Sequence, residues 1–368
     1  MRKSNNTVCI IGLFPPPIHG FALVNDAMRN LITEIDPNSD VFDLSSHSLN
    51  RTFINISRRF IKFLYLYPKY ILLSILNKYH TLYIGISGGL GQFYDLLILS
   101  VARTAKQRIF IHHHSFSYLV KNNLLTSLII KIAGKNALHI VLCDLMQDKL
   151  LTYRKNISCM TLSNSVFSTY NNMGGPNNRQ LKKIGYLGNI SHEKGIALFF
   201  EVIEKLNSQK SIIGIIGGPF QDHNSEIFTR TKLVEQSNIS YLGPIYDNDK
   251  DDFFNTIDIL LMPSLLEEAE PLVIHEAMEK GIPVIAFRKG CIDEIIESDS
   301  GNVIDINNNF TDTAVKHITY WIKNPDNFNQ IKIDTQKKFE NTKSRSIESL
   351  DLLIHKITKP KTKNAPKS

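Results

Sequence analysis

Cysteine, tryptophan and long apolar runs are scarce in this chain of 368 residues. It contains four cysteines and one tryptophan, and the cysteines stand at no metal-ligand spacing. This scarcity excludes a disulfide-dense scaffold and gives no support for a zinc site, so a reducing cytosol is the simplest compartment. No run of about 18 apolar residues occurs, which predicts that no helix spans a membrane. An apolar fraction of 43% still excludes a largely disordered chain.

Acidic residues are scarce in the N-terminal half. Residues 1–170 contain 18 Lys and Arg against 8 Asp and Glu, a balance of +10. Residues 171–368 contain 24 against 27, a balance of −3. A basic half of this kind attracts an anionic partner such as nucleic acid, an anionic lipid surface or a phosphate-bearing substrate. The alternative is that the excess charge serves only solubility.

The segment over residues 50–80 combines basic and aromatic residues without any acid. It holds six Lys or Arg and seven Phe or Tyr. This composition predicts an interfacial helix that buries its apolar face in an anionic membrane and pairs its cations with lipid headgroups. The alternative is a pair of core-packing helices whose long basic side chains extend to solvent.

Short apolar runs alternate with amphipathic segments along most of the chain. This alternation predicts βαβ units with parallel sheets, and therefore an α/β fold. The polar stretch 171–180 is predicted to be a linker. It separates an N-terminal doubly wound domain over 1–170 from a second one over 181–345, followed by a C-terminal helix and basic tail over 346–368. Two such domains predict a ligand-binding cleft between them.

Two glutamates mark the strongest motif. Residues 257–262 are predicted to form a buried strand, Glu268 lies in the loop that follows, and Glu276 lies within the next helix. The start of a helix binds anions because its first amides are unpaired and its dipole is positive there. A carboxylate beside that site can accept hydrogen bonds from sugar hydroxyls. From spacing alone, two surface glutamates on an amphipathic helix remain the favoured interpretation.

The residues around these glutamates resemble the signature of glycosyltransferase family 4. In that signature two glutamates separated by seven residues lie within a Pro-Ser … Glu-Ala-Met … Gly-x-Pro-Val-Ile frame, which here begins at Pro263. The resemblance is most specific over residues 181–306. Further elements that resemble the family are Pro15–Gly20, Asn164–Val166, Tyr186–Gly195, Ile216–Pro219, Tyr241–Gly243 and Gly290–Ile296.

The resemblance implies a GT-B fold, in which two Rossmann-like domains with parallel sheets face each other across a cleft. It also implies a retaining, metal-independent glycosyltransferase whose second domain holds a UDP- or GDP-linked sugar as substrate, without a cofactor. Glu276 would bind the ribose hydroxyls and Glu268 would face the donor sugar. Lys194 would neutralise the departing diphosphate, since that step needs a fixed cation where charge develops. The implied donor-binding residues are Gly20, Asn189, Lys194, Glu268, Pro271, Leu272 and Glu276.

Two positions depart from the family pattern. Asn189 stands where the family commonly has a second phosphate-binding Arg, and an amide brings no charge. Another cation such as Arg288 would then serve, or catalysis would be slow. Glu270 and Pro271 replace the usual aromatic–glycine pair. Glu270 would either alter donor selectivity or be a solvated loop residue.

Three consecutive histidines, His112–His114, follow the predicted strand 108–111. They therefore lie at the carboxyl edge of the first sheet, where ligands bind in such folds. Successive strand residues point to opposite faces, so the three cannot converge on one metal ion. The family places a histidine here against the donor sugar or the reacting hydroxyl, and His113 is the implied catalytic residue beside Glu268 and Lys194. Histidines without chemistry are the alternative.

The Asp247–Asp249 segment has an Asp-x-Asp form that other glycosyltransferases use for metal. Here it precedes a predicted helix, where acids complement the helix dipole, so we predict a helix cap. No metal site is predicted.

Together these features predict a glycosyltransferase that extends a lipid-linked saccharide in bacterial surface polysaccharide assembly (lipopolysaccharide, O-antigen or capsule). The enzyme would act in the cytoplasm at the inner face of the cytoplasmic membrane, which residues 50–80 would contact. No recognised nucleic-acid-binding module is present. Two alternatives stay open. One is a nucleotide-sugar epimerase, which needs no acceptor. The other is a catalytically weak sugar-nucleotide-binding subunit of a transferase complex, which Asn189 favours.

Overall fold

The computed structural model describes residues 7–46, 53–121, 123–168, 179–207, 212–246 and 249–359. Most of the predicted linker, the basic tail beyond residue 359 and the pair Asp247–Asn248 lie outside these residues. The described chain divides into two compact units. The first lies within Met1–Ser163 and Ser346–Ser368, and the second within Asn164–Arg345.

The first unit contains a sheet of six strands whose pairings are all parallel. Its strand order is β2-β1-β3-β4-β5-β6. The strands are β1 (Thr7–Gly12), β2 (Asp40–Asp43), β3 (Tyr79–Ile86), β4 (Arg108–His113), β5 (Leu138–Val141) and β6 (Ser158–Thr161). The helices are α1 (Gly20–Ile35), α2 (Phe53–Ile75), α3 (Gln92–Thr104), α4 (Ser117–Val120), α5 (Leu124–Ala133) and α6 (Asp144–Tyr153).

The second unit contains another sheet of six parallel strands, in the order β12-β11-β10-β7-β8-β9. Its strands are β7 (Lys183–Leu187), β8 (Ile213–Gly217), β9 (Ile239–Tyr241), β10 (Ile259–Met262), β11 (Val284–Phe287) and β12 (Gly301–Ile304). Its helices are α7 (Ile196–Asn207), α8 (His223–Glu235), α9 (Asp249–Thr256), α10 (Leu272–Glu279), α11 (Ile292–Ile295) and α12 (Phe310–Lys323), followed by α13 (Pro325–Thr358), whose residues from Ser346 onward belong to the first unit.

The core of the second unit covers both faces of its sheet. Ile259 and Leu261 belong to one buried cluster, whereas the alternating residues Leu260 and Met262 belong to another. Successive strand residues point to opposite faces, so a strand that is apolar throughout requires helices on both sides. This is the doubly wound arrangement that the uninterrupted apolar runs predict, and the predicted α/β fold class is confirmed.

The strand order of each sheet reverses at one point. In the second sheet the chain runs from β7 outward to β8 and β9, and then returns to the other side of β7 with β10. Ligands of open α/β sheets bind at the carboxyl ends of the strands that flank such a reversal. The loops after β7 and β10 therefore frame the expected site, and they carry Asn189, Lys194 and Glu268.

Helix α2 differs from one of the sequence interpretations. Residues 53–75 form a single helix that passes through Pro68, so the two helices of that alternative are wrong. Its other part, packing against the core, agrees with the burial of Phe63 and Tyr70. Among the described residues no helix is both long and apolar enough to cross a membrane.

Candidate functional site

The loops after β7 and β10 are hydrogen-bonded to each other and closely packed. The backbone N–H of Leu265 donates to the carbonyl oxygen of Glu193 at 2.8 Å. Gly195 has a φ of +80°, and a Cβ at this position would lie 2.1 Å from the carbonyl oxygen of Pro263. Only glycine permits both this conformation and this approach. The sequence Glu193–Gly195 thus folds the first loop directly onto the second.

Replacing Gly195 with alanine is expected to destabilise the second unit strongly. The substitution forces a side chain into the left-handed region, which costs about 1–2 kcal/mol, and it also collides with backbone, where overpacking adds about 1–3 kcal/mol. Gly243 is the matched control, because it has a φ of +86° and a Cβ there would meet nothing within 4 Å. Thermal unfolding should show a clearly larger fall for Gly195→Ala than for Gly243→Ala. Equal falls would show that the contact with Pro263 is unimportant.

This contact brings Lys194 and Glu268 together. The Lys194 Nζ forms an ion pair with Glu268 Oε1, and the Ser264 hydroxyl donates to the same oxygen at 2.9 Å. Both charged side chains remain partly exposed. The hydroxyl of Tyr186 donates to the Lys194 carbonyl oxygen at 3.3 Å and stabilises the turn that contains Lys194. The result is an oriented ammonium group at the carboxyl edge of the sheet.

Glu276 follows Glu268 in the sequence and lies in the second turn of α10. Pro271 precedes the helix as its cap residue, and Leu272 is its first residue. Glu276 is only 8% exposed, and its Oε1 accepts from Lys250 Nζ at 2.7 Å. Its Oε2 is buried and has no hydrogen-bond partner among the described residues. A buried carboxylate oxygen without a donor is costly, so it suits a ligand that brings a hydroxyl.

The first unit places its own candidate residues at the carboxyl edge of its sheet. Gly20 begins α1, and the preceding His19 caps this helix by accepting the Ala22 N–H on Nδ1 at 3.2 Å. The ring of Phe21 lies 4.7 Å from the ring of His114. The loop after β1 and the end of β4 therefore meet at this edge.

The three histidines have different surroundings. Strand β4 extends through His113, further than the predicted 108–111. His113 is fully buried, and both ring nitrogens have partners: Nδ1 faces the Tyr118 hydroxyl and Nε2 faces His139, each at 3.0 Å. His112 is bound through Nδ1 to the Tyr83 hydroxyl at 2.7 Å. The structure thus gives the implied catalytic His113 no ring nitrogen that is open to a substrate.

His114 is the member of the trio that is not fully buried as a residue, and its Nε2 has no hydrogen-bond partner among the described residues. Burial lowers the pKa of His112 to about 3 and holds the pKa values of His113 and His114 well below the usual range. All three rings are therefore neutral near pH 7, and a neutral imidazole can accept or donate one hydrogen bond.

Residues 174–340 match the family model of glycosyl transferases group 1. The matched segment contains Lys194, Glu268 and Glu276, and it is under half of the chain. Within the part of the chain that the structure describes, no group of three or more His, Cys, Asp or Glu is placed to hold a metal ion.

Curated relatives also match over less than half of the chain. A lipopolysaccharide 1,2-N-acetylglucosaminetransferase of Salmonella typhimurium is 29% identical over 119 residues, which cover 30% of this chain and 31% of that protein. An uncharacterized 42.6 kDa protein in the cps region of Klebsiella pneumoniae is 29% identical over 177 residues, which cover 46% of this chain and 44% of that protein. The chain thus spans less than half the length of these relatives.

Solved structures extend the comparison to nearly the whole chain. Anabaena HepE in complex with UDP has a TM-score of 0.66 at 14% identity, and the match covers 94% of this chain and 100% of that one. At this identity the likeness shows the fold. The predicted GT-B fold is confirmed.

The Glu270 side chain is buried and hydrogen-bonded within the second unit. Its Oε2 accepts the Asn164 backbone N–H at 2.7 Å, and its Oε1 lies 2.8 Å from His275 Nε2. Its own carbonyl accepts from Asn164 Nδ2 at 2.8 Å. The interpretation as a solvated loop residue is wrong, because the side chain is buried and ties the loop to the segment after β6.

Asn189, the uncharged residue noted in the sequence, lies just beyond the end of β7 and is half-buried. Arg288, the substitute considered from sequence, is about half exposed and is held by Asp293 and Asp305. Lys289 instead reaches back to the site loop, where its Nζ lies 2.7 Å from Glu267. Neither arrangement supplies the missing charge directly.

Proposed function

We propose that this protein transfers a sugar from a nucleoside-diphosphate donor to a hydroxyl group of a saccharide acceptor. The observation that carries the proposal is the set of Lys194, Glu268 and Glu276 at the reversal point of the second sheet, within the segment that matches glycosyl transferases group 1. The donor is held by the second unit, with domain roles as implied by the resemblance, and the acceptor by the first. A UDP-linked donor is the first to test, since the HepE structures contain UDP or UDP-glucose.

The roles proposed for the residues combine those implied by the resemblance with the contacts described above. Glu276 Oε2 accepts a ribose hydroxyl, and the start of α10 at Pro271–Leu272 faces the diphosphate, with the N–H of Leu272 as a donor because Pro271 has none. Lys194 neutralises the charge that develops as the bond between the anomeric carbon and the diphosphate oxygen breaks. The acceptor hydroxyl oxygen bonds to the anomeric carbon, and its proton leaves with the diphosphate. Glu268 keeps the ammonium in place and faces the donor sugar. The anomeric configuration is retained, and no metal takes part.

His114 takes the role that the resemblance implied for His113. Both nitrogens of His113 are engaged, whereas Nε2 of His112 and of His114 lacks a partner among the described residues. His112 is fully buried and His114 is not, which favours His114. Gly20, close to His114 through the neighbouring Phe21, leaves the backbone open at the same edge. His114 therefore contacts the donor sugar or the reacting hydroxyl.

The setting is the assembly of a bacterial surface polysaccharide on a lipid-linked acceptor at the inner face of the cytoplasmic membrane. The Salmonella relative is named for lipopolysaccharide, and the Klebsiella relative for its place in a cps region, which supports this setting. An acceptor attached to lipid requires an enzyme that works at a membrane surface.

Helix α2 offers the surface for that contact. Its outward face is apolar, with Ile61, Leu64, Leu72 and Ile75 each 54–68% exposed. These residues recur at helical spacing, so they form one continuous stripe. A helix of an isolated soluble unit normally turns polar residues to water, and a stripe of this size marks an interaction surface.

The charges of α2 specify an anionic partner. The helix contains no acid, and its exposed cations Arg58 and Lys69 lie beside the apolar stripe. Lys62 instead pairs with Asp43 at 2.6 Å, and Arg59 donates to the Ser87 hydroxyl at 2.9 Å. Arg58 and Lys69 are thus the cations proposed to meet lipid headgroups, although Lys69 Nζ also lies 5.9 Å from the centre of the Phe42 ring. Lys62 and Arg59 attach the helix to its own unit.

Reversing Arg58 and Lys69 to Glu should reduce binding to phosphatidylglycerol vesicles. Each cation near an anionic surface contributes about 1 kcal/mol, so partitioning should fall by about 30-fold or more. Sedimentation with vesicles at moderate salt measures the effect. Lys316→Glu with Lys323→Glu makes the same charge change on exposed positions of α12 and should leave binding nearly unchanged. Equal sedimentation of the α2 variant and wild type would exclude the proposed surface.

Incubation with a panel of UDP- and GDP-sugars, with and without membrane extract and in excess chelator, tests the function. The proposal expects nucleoside diphosphate release that depends on the extract and survives chelation. Isomerisation of the donor without acceptor would indicate the epimerase. Donor binding without turnover would indicate the catalytically weak subunit, which Asn189 favours. Complete inhibition by chelator, reversed by magnesium or manganese, would contradict metal independence.

A further inference from the structure

The ion pair between Lys250 and Glu276 links the starts of two helices. Lys250 is the second residue of α9, and its Nζ lies 2.7 Å from Glu276 Oε1 in α10. The Lys250 side chain is 20% exposed and the Glu276 side chain 10%. The pair occupies one carboxylate oxygen and leaves the buried Oε2 to whatever ligand approaches.

The partner of Lys250 is distant in the sequence, although acids flank this lysine in the chain. The first turn of α9 contains Asp249, Asp251 and Asp252. An ammonium group at the positive end of a helix is unfavourable unless a carboxylate offsets it. These acids are one or two positions from Lys250, and side chains at that spacing do not face each other on a helix. The side chain instead meets a carboxylate 26 positions along the chain, that of Glu276, which offsets its charge.

We propose that Lys250 is a positioning residue of the donor site, one that fixes the Glu276 carboxylate so that Oε2 faces a ribose hydroxyl. The inference rests on the proposed function of Glu276. A carboxylate buried without a cation is strongly disfavoured, and a hydrogen bond to an ionised oxygen is roughly twice as strong as one between neutral groups. Lys250 thereby preorganises the acceptor oxygen without touching the donor.

A second ion pair between the same helices provides a matched control. Lys280 Nζ lies 2.7 Å from Asp251 Oδ1, so it joins the end of α10 to the first turn of α9 without contacting Glu276. A role limited to holding the two helices together would be shared by Lys250 and Lys280. A role in orienting Glu276 belongs to Lys250 alone.

The test is calorimetric binding of UDP, and in parallel GDP, to the full chain. Lys250→Met should weaken binding of the bound nucleotide by about tenfold, the loss expected for one charge-assisted hydrogen bond. Lys250→Arg should recover most of the affinity, because it restores the cation. Lys280→Met should stay within about twofold of wild type, and circular dichroism verifies that each variant is folded. In a Glu276→Gln background, Lys250→Met should cause no further loss.

Each other outcome overturns the inference. Unchanged or tighter binding by Lys250→Met would show that the ammonium group is irrelevant to the donor or competes with it for Glu276. An equal loss in the Glu276→Gln background would show that Lys250 contacts the nucleotide itself. Equal losses of nucleotide affinity in Lys250→Met and Lys280→Met would show that Lys250 only holds the two helices together. If wild type binds neither nucleotide, the proposed function fails as well, which distinguishes that case from the others.

Discussion

Replacing Lys194 with methionine should lower the rate of sugar transfer by about 10²–10³-fold, the scale seen when one preorganised charge-stabilising group is removed. Methionine keeps the length and apolar stem of the side chain but cannot neutralise the departing diphosphate. Asn189 contributes no charge nearby, so no second cation on that loop compensates. We therefore expect a loss in kcat with a smaller change in KM.

Lys289→Met is the control for this experiment. Lys289 is also an ion-paired lysine at the site loop, bound to Glu267 at 2.7 Å, but it has no proposed part in catalysis. Initial rates at saturating donor should fall far more for Lys194→Met than for Lys289→Met. A Lys194→Met variant that turns over at the wild-type rate would remove Lys194 from the mechanism.

Replacing Glu270 with alanine should destabilise the second unit by about 3–5 kcal/mol, as expected when one partner of a buried polar network is removed. The substitution leaves the Asn164 backbone N–H and the His275 ring without their partner in a buried setting. It also creates a cavity where the carboxylate packed. The loss concerns folding and not chemistry.

The fluorescence of Trp321 can follow this change, because it is the only tryptophan of the chain and is buried in the second unit. Glu267→Ala is the comparison, since Glu267 forms a more exposed ion pair in the same loop and should cost no more than about 1 kcal/mol. Similar urea midpoints for the two variants would show that the buried network is not stabilising.

The sequence predicts the fold and the loops of the site because both depend on local patterns. Runs such as 259–262 and 284–287 are apolar at every position, which fits only strands with helices on both faces. Glycine at 195 and the Pro263–Ser264 break mark the turns that follow β7 and β10. Given a parallel doubly wound sheet, these turns must meet at the reversal point, which places Lys194 near Glu268 before any side chain is seen.

Side-chain contacts with residues that are distant in the sequence cannot be predicted from such local patterns, although they give neighbouring residues different roles. Strand alternation separates His113 from its neighbours but cannot show that Tyr118 and His139 occupy its ring. Glu270 lies in a polar loop, and only the fold brings Asn164 to it from 106 positions away. Lys250 carries no sequence signal, because its partner Glu276 lies in α10, beyond strand β10 and the loop that follows it.

Helix α2 shows the same limit for surfaces. Its composition indicates an amphipathic segment with cations, but periodicity does not reveal which stripe faces the sheet. The structure buries Phe63 and Tyr70 against the first unit and turns Ile61 and Leu72 outward. The composition already indicates an anionic membrane as partner, but only the structure shows which residues form the exposed stripe.

Calorimetric titration of UDP and GDP into wild type, Lys194→Met and Glu276→Ala tests the central claim most directly, namely that the reversal point of the second sheet holds a nucleoside diphosphate. The account predicts that wild type binds at least one of the two nucleotides. It also predicts weaker binding in both variants, with a loss of about 1–3 kcal/mol for Glu276→Ala, where hydroxyl donors are left unpaired. Unchanged affinity in both folded variants, or no binding to wild type, would contradict the claim.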